Sequence, residues 1–297
     1  LYSLYAFITL ILFCKKNKID IIYTNTSVNI IGRIISIVLN IKHIWHIHEQ
    51  LSLNSRWLPD WFIPIQKKLI NKKNSISIFV SQKSLNSWQD IFNEKIKNGK
   101  VIYNRYRTFE RIHKNYNRND VVLGYMGSLS NIKNLAMFLE SFKFCISKYP
   151  EIKLSFNIAG IGKEMSELKE KCNDLKISKN VNFIGFISEP KDFFKDIDIF
   201  VLPSLSESWG LSAIEAIYAK KGLILTKESG LTDIFKDKMD CLIIDPLKKD
   251  CISSAIGVML KNETFRNEMI HNSFNKLIEL DLNNKFKLQI LELLYSF

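Results

Sequence analysis

Pro203-Ser204-Leu205-Ser206-Glu207-Ser208-Trp209-Gly210-Leu211-Ser212-Ala213-Ile214-Glu215-Ala216 is the stretch that decides the reading of this chain. The apolar run Ile197–Leu202 leads into its Pro-Ser pair. A short apolar run closed by turn residues reads as a buried strand. Beyond Gly210 apolar residues recur at helical spacing, which predicts a helix over Leu211–Ala219. In open α/β sheets ligands bind outside the carboxyl ends of the strands. Amides near Gly210 and Leu211, at a helix start, suit a diphosphate. A carboxylate such as Glu215 can accept two sugar hydroxyls, as the acid of a dinucleotide fold does for a ribose. Glu207 then lies nearer a transferred group. Two ordinary helix-end acids are the plainer alternative, and the spacing of the pair behind a Pro-Ser strand end weighs against it.

Working outward, apolar runs alternate with amphipathic segments, the mark of βαβ units and parallel sheets. In the first half, strands are expected at Ile19–Tyr23, Lys42–His48, Ser75–Val80 and Lys100–Ile102, with helices around Val28–Leu39, Trp61–Asn71 and Lys83–Asn93. In the second, strands are expected at Val121–Met126, Lys153–Ala159, Val181–Ile184, Gly222–Leu225 and Cys241–Ile243, beside Ile197–Leu202. Helices are expected at Lys133–Lys148, Glu164–Leu175, Pro190–Lys195, Lys248–Lys261, Glu263–Leu280 and Lys285–Tyr295. The fold class is α/β with two Rossmann-like domains. Residues 1–103 form the first and 121–280 the second, with a polar linker over 104–120 and a C-terminal helix over 281–297. The opening run Leu1–Cys14 is too short to span a bilayer, which takes about 20 residues. It lacks the flanks of a signal peptide. It reads as a buried helix leading into the first strand, in a chain that begins in mid-domain.

Three further stretches carry chemistry. Gly127-Ser128-Leu129-Ser130-Asn131-Ile132-Lys133-Asn134 follows a strand and leads into a helix, so its amides and Lys133 suit a phosphate, although a surface lysine on a plain turn has the same pattern. Ala159-Gly160-Ile161-Gly162 is a short G-x-G at a strand end, weak evidence by itself. Trp45-His46-Ile47-His48-Glu49 puts two imidazoles on one strand face. A metal would need a third ligand, and no partner cluster is evident. Asp196-Ile197-Asp198 has a D-x-D pattern, but it sits at a strand's entry, the wrong end for a ligand.

The bulk numbers fit an ordinary globular chain of 297 residues, 46% of them hydrophobic. The formal charge of +12 is lysine-dominated and scattered, and no nucleic-acid signature appears, so no nucleic-acid partner is expected. The Lys excess suits peripheral contact with the inner membrane. Five cysteines without a C-x-x-C pair point to free thiols in a reducing compartment.

From about Ile19 to Pro246 these motifs, in this order, resemble the retaining glycosyltransferases of family four, with the GT-B fold. The likeness rests on Gly127…Lys133-Asn134, Ala159–Gly162, Asp198–Ser204, Glu207…Glu215 and Gly230. Asp20–Thr26, Gly32-Arg33 and Trp45–Glu49 add to it in the first half. The resemblance implies a cytoplasmic enzyme, peripheral at the cytoplasmic face of the membrane, in bacterial surface polysaccharide assembly. It would move a sugar from a UDP- or GDP-sugar to a glycan or lipid-linked acceptor, with retention and without a cofactor or metal. Lys133 would hold the diphosphate and Glu215 the ribose. Glu207, with amides near Gly210 and Leu211, would hold the sugar and phosphate, and His48 would lie by the reacting sugar. The catalytic set is then His48, Lys133 and Glu207. The donor set is Gly127, Ser128, Lys133, Gly160, Gly162, Glu207, Gly210, Leu211 and Glu215. Where the family has an arginine, this chain has Ser128, which removes one cation unless Arg105 or Arg107 replaces it. A donor-binding or scaffolding protein without catalysis, or a sugar-nucleotide 2-epimerase, are the rival readings.

Overall fold

The computed structural model describes residues 2–51, 59–110 and 120–296. Part of the expected linker, 111–119, lies outside the described residues. The chain forms two compact units, Leu1–Asn104 with Asn284–Phe297, and Arg105–Asn283.

The first unit runs α1 (Tyr2–Lys16), β1 (Ile21–Thr24), α2 (Ile31–Leu39), β2 (Lys42–Ile47), α3 (Ile63–Ile70), β3 (Ser75–Phe79), α4 (Gln82–Phe92) and β4 (Gly99–Val101). Its strands form a parallel sheet in the order β1-β2-β3-β4. One face packs Trp45, Ile47 and Phe79 against Trp88 and Phe92 of α4 and Ile70 of α3. Arg33 is buried on α2, where its guanidinium donates to the carbonyls of Leu69, Lys72 and Lys73 and so caps the end of α3. This arginine serves the fold.

The opening helix departs from expectation. Leu1–Cys14 reads as a buried helix, and α1 does form, but Cys14 is its one buried residue among those described, while Tyr5 is 73% and Leu12 61% exposed. Its apolar residues surround the helix instead of lining one stripe. Packing against one neighbour therefore leaves the rest in solvent.

The second unit runs β5 (Asp120–Met126), α5 (Leu135–Lys148), β6 (Lys153–Ala159), α6 (Met165–Asp174), β7 (Val181–Gly185), α7 (Pro190–Lys195), β8 (Ile199–Leu202), α8 (Leu211–Tyr218), β9 (Gly222–Thr226), β10 (Leu242–Ile244), α9 (Lys249–Lys261) and α10 (Glu263–Leu280). The parallel sheet has the order β10-β9-β8-β5-β6-β7. The chain builds outward from β5 through β6 to β7, then returns to the other side of β5 and builds β8, β9 and β10. Between β5 and β8 the order reverses, and such a switch point opens a crevice at the carboxyl ends.

β8 is buried along its whole length, which is why it reads as an unbroken apolar run. Asp198, just before it, is buried at the amino edge, where its carboxylate accepts from the Val122 amide at 2.8 Å. It bolts β8 to β5. The helix expected from Lys133 is interrupted: a 3-10 turn spans Asn131–Lys133, Asn134 is left-handed at φ 57°, and α5 begins after it. The Asn134 amide donates to the carbonyls of Pro203 at 3.2 Å and Pro246 at 2.8 Å, which holds this break in place. A last helix, α11 (Leu282–Ser296), sets Leu293, Phe286 and Ile290 against Ile44, Ile78 and Ile102 of the first unit. Among the described residues no helix is long and apolar enough to cross a membrane.

Candidate functional site

The loops after β5, β8 and β9 meet at the switch point. Lys133, from the first, and Glu207, from the second, form an ion pair at 2.7 Å, with side chains only 19% and 16% exposed. Backbone bonds fix the two loops: the Leu205 amide donates to the Ile132 carbonyl at 2.8 Å, and the Gly230 amide to the Glu207 carbonyl at 2.9 Å. Ser229 Oγ donates to the Trp209 carbonyl at 2.9 Å and pins the loop from below. A charge pair this enclosed repays its desolvation only with fixed geometry. The knitted loops provide it.

Beside the pair lies a glycine cradle. The Gly127 amide donates to the Ala159 carbonyl at 3.0 Å, and the Gly160 amide to the Gly185 carbonyl at 2.7 Å. Gly160 has φ 141°, and a Cβ there would fall 1.8 Å from the Gly127 carbonyl oxygen; one on Gly162 would fall 2.0 Å from that of Leu129. Only glycine lets the loops after β5 and β6 cross so closely. Ser128 is exposed at the tip, and its carbonyl accepts from the buried Tyr125 hydroxyl at 2.9 Å. Burial pushes that phenol well above its ordinary range.

Gly210, with φ 107°, caps the start of α8 in a left-handed conformation, and Leu211 follows with 47% of its surface exposed. One turn on, burial raises the Glu215 carboxyl to about 7, against a smaller lowering by Arg107. The folded value lies above the unfolded one. The stabilisation this group gives is therefore full below its unfolded pKa and is lost as pH rises through about 7. Glu215→Gln should thus gain stability over the wild type as pH goes from acid to alkaline. The expected rise in melting temperature of the ligand-free protein at pH 8 is about 2–4 °C, with little difference near pH 4. Thermal unfolding followed across that range checks this, and a difference that does not change with pH would sink it.

His48 belongs to the first unit, just past β2. Its Nε2 lies 2.7 Å from Asn25 Oδ1, which only accepts, so Nε2 carries the hydrogen. Nδ1 then accepts from the Asn104 amide at 3.5 Å. Burial lowers the His48 pKa, opposed by the nearby Glu49 carboxylate. Burial also pushes His43 and His46 down to about 3. His46 shares a short bond with the Tyr23 hydroxyl, at 2.6 Å. Glu49 had no assigned role in the sequence reading, and here its carboxylate accepts from Thr26 Oγ1, the amide and hydroxyl of Ser27, and the His48 amide. It braces the loop that presents His48. The signal was an acid closing a His-rich strand opposite a Thr-Asn-Thr-Ser loop. Among the described residues no group of three or more His, Cys, Asp or Glu is gathered for a metal. Thus Lys133, Glu207, Gly127, Ser128, Gly160, Gly162, Gly210, Leu211 and Glu215 all lie at the carboxyl edge of the second sheet. Asp196 and Asp198 lie at its amino edge.

Residues 107–276 match the family model described as glycosyl transferases group 1. The chain belongs to that family. It is 29% identical over 61% of its length to the capsular polysaccharide biosynthesis glycosyltransferase CapM of Staphylococcus aureus, of which the match covers 46%. It is 24% identical over 92% of its length to a UDP-Gal:alpha-D-GlcNAc-diphosphoundecaprenol alpha-1,3-galactosyltransferase of Escherichia coli, covering 74% of that protein. The chain thus spans less than half of CapM. Among solved structures, Anabaena HepE in complex with UDP and glucose superposes with a TM-score of 0.84, covering 98% of this chain and 81% of the other at 19% identity. The group 1 fold of this chain is GT-B, with two Rossmann-like units.

Proposed function

We propose that this group 1 protein transfers a sugar, with retention of configuration and without a metal, from a UDP- or GDP-sugar to a glycan or lipid-linked acceptor in bacterial surface polysaccharide assembly. The observation that carries the reading is the enclosed Lys133–Glu207 pair beside the crossed glycine loops at the switch point. In the transfer, the bond from the anomeric carbon to the diphosphate oxygen breaks. The acceptor oxygen bonds to that carbon, and its proton passes to the departing diphosphate. The transition state is oxocarbenium-like. Charge grows on the leaving diphosphate, and Lys133 with the amides at the start of α8 is set to meet it. Glu207 would hold the donor sugar and Glu215 the ribose. His48, neutral near pH 7, would hydrogen-bond the transferred sugar. This role follows from the family likeness. The relatives named for capsule and lipid-linked substrates, and HepE with UDP, support the donor and acceptor classes. The same reading puts the protein at the cytoplasmic face of the membrane, in peripheral contact.

A thermal-shift panel of UDP, GDP, ADP and their sugar conjugates tests it. A ligand at a hundred times its dissociation constant stabilises by about 2.7 kcal/mol. One nucleotide should therefore raise the melting temperature by roughly 5–10 °C. Glu215→Ala should abolish most of that shift. If a folded sample responds to no nucleotide, the donor site is misassigned.

A further inference from the structure

The Lys133 ammonium carries three hydrogens, and one of them goes to Glu207 Oε2 at 2.7 Å. Among the described residues neither side chain makes another hydrogen bond or ion pair. Two ammonium hydrogens and the second carboxylate oxygen are therefore open to a ligand, and both side chains keep a little exposure through which one can reach them. The two backbones are tied in place. The Ile132 carbonyl, next to Lys133, accepts from the Leu205 amide at 2.8 Å. The Glu207 amide donates to the Glu228 carbonyl at 3.3 Å, and the Glu207 carbonyl accepts from the Gly230 amide at 2.9 Å. The carboxylate thus stays beside whatever Lys133 receives. While the pair holds, an anion oxygen at about 2.8 Å from the ammonium nitrogen lies within about 5.5 Å of Oε2. If the lysine instead leaves the carboxylate for the anion, Glu207 is enclosed without a partner. Either arrangement penalises an anion that arrives alone.

We propose that the Lys133–Glu207 pair makes the donor site selective for a sugar-bearing nucleoside diphosphate over the bare nucleoside diphosphate that transfer leaves behind, with Glu207 as the discriminating group. This rests on the donor-site reading above. A bare diphosphate offers acceptor oxygens alone. It satisfies the ammonium, but it sets a second anion against an enclosed carboxylate. A glycosyl diphosphate brings hydroxyl donors joined to the phosphate. Those hydroxyls can donate to the open carboxylate oxygen while the phosphate accepts from the ammonium, so each half of the pair meets a group of matching chemistry. During transfer the sugar becomes oxocarbenium-like, and a carboxylate favours that charge too. Once the sugar has passed to the acceptor, its hydroxyls go with it. The carboxylate then faces the diphosphate alone, and the product is pushed off.

The test is calorimetric titration, at one pH and one ionic strength, of UDP, GDP and ADP and of UDP-glucose, UDP-galactose, GDP-mannose and ADP-glucose. The proteins are the wild type, Glu207→Gln, Glu207→Ala, Glu207→Asp and Lys133→Gln, each shown to be folded by its melting temperature. Glu207→Gln keeps the shape and an acceptor for Lys133, and removes the charge. It should bind the preferred bare diphosphate about tenfold more tightly than the wild type does, the size of an ordinary coupling between adjacent groups. It should bind the matching sugar conjugate about tenfold less tightly, through loss of a charge-assisted hydrogen bond. Glu207→Ala should shift the bare diphosphate in the same direction. Glu207→Asp keeps the charge and should bind the bare diphosphate no more tightly than the wild type. Lys133→Gln should weaken both ligands. A merely structural Glu207 predicts that both ligands weaken together. The inference is overturned if Glu207→Gln and Glu207→Ala leave the affinity for the bare diphosphate unchanged or lower it. If they do so while Lys133→Gln weakens binding, the donor-site reading stands and only this inference falls. If the wild type binds no nucleotide and no conjugate, the donor-site reading falls and takes this one with it.

Discussion

Gly160→Ala should destabilise the second unit by about 3 kcal/mol or more. Two costs add. At φ 141° an alanine sits where L-residues are strained by about 1–3 kcal/mol. Its Cβ would also lie 1.8 Å from the Gly127 carbonyl oxygen. That oxygen is backbone and has little room to move, because the Gly127 amide is bonded to Ala159 at 3.0 Å in the same crossing. To relieve the clash, the ends of β5 and β6 must part. Urea unfolding of the variant against the wild type measures the cost. A loss under about 1 kcal/mol would mean that the crossing yields cheaply and is no rigid cradle.

Lys133→Ala carries the largest expected effect on activity, a fall in the transfer rate of about 10²–10³, typical of removing one preorganised group that stabilises developing charge. It should also reduce stability. Removing Lys133 leaves the Glu207 carboxylate enclosed without its 2.7 Å partner, and breaking one side of a buried pair costs about 3–5 kcal/mol when enclosure is complete. Both groups keep some exposure, so the lower end applies. The double variant Lys133→Ala with Glu207→Gln separates the two effects. It should recover most of the stability and none of the rate. Steady-state transfer from the preferred donor, read beside the melting temperature, gives both numbers. If Lys133→Ala keeps more than about a tenth of the wild-type rate, the lysine does not serve the leaving group.

Much of this arrangement was legible in the sequence because it rests on local chemistry. Fully buried strands such as β8 are written as unbroken apolar runs, and the loops that follow them must carry turn residues. Glu207 and Glu215 stood out through their spacing from such a strand end, and the structure sets both at the carboxyl edge. What escaped the sequence depends on neighbours distant in the chain. The apolar content of α1 announces a helix but says nothing of what covers it, so its exposure was unreadable. Arg33 enters the sequence reading only through the family likeness, and the fold reveals the three carbonyls, at and just past the end of α3, that occupy it. The break at Asn134 depends on Pro203 and Pro246, far along the chain. Residues 105–110 hold no apolar period because they form no helix, and the packing of Tyr106 and Phe109 on Tyr218 and Phe194 depends on rings far along the chain.

Every strand pairing in both sheets, among the described residues, is parallel. No two neighbouring strands can therefore zip together from a tight hairpin, and each ladder must wait for a whole crossover to close. Loop entropy is spent before the contacts that repay it form, so the chain has a slow route home from the denatured state. During that wait the apolar strands at the centre of each sheet are open to other chains. Recovery after denaturation will accordingly depend on how dilute the protein is when the denaturant is withdrawn.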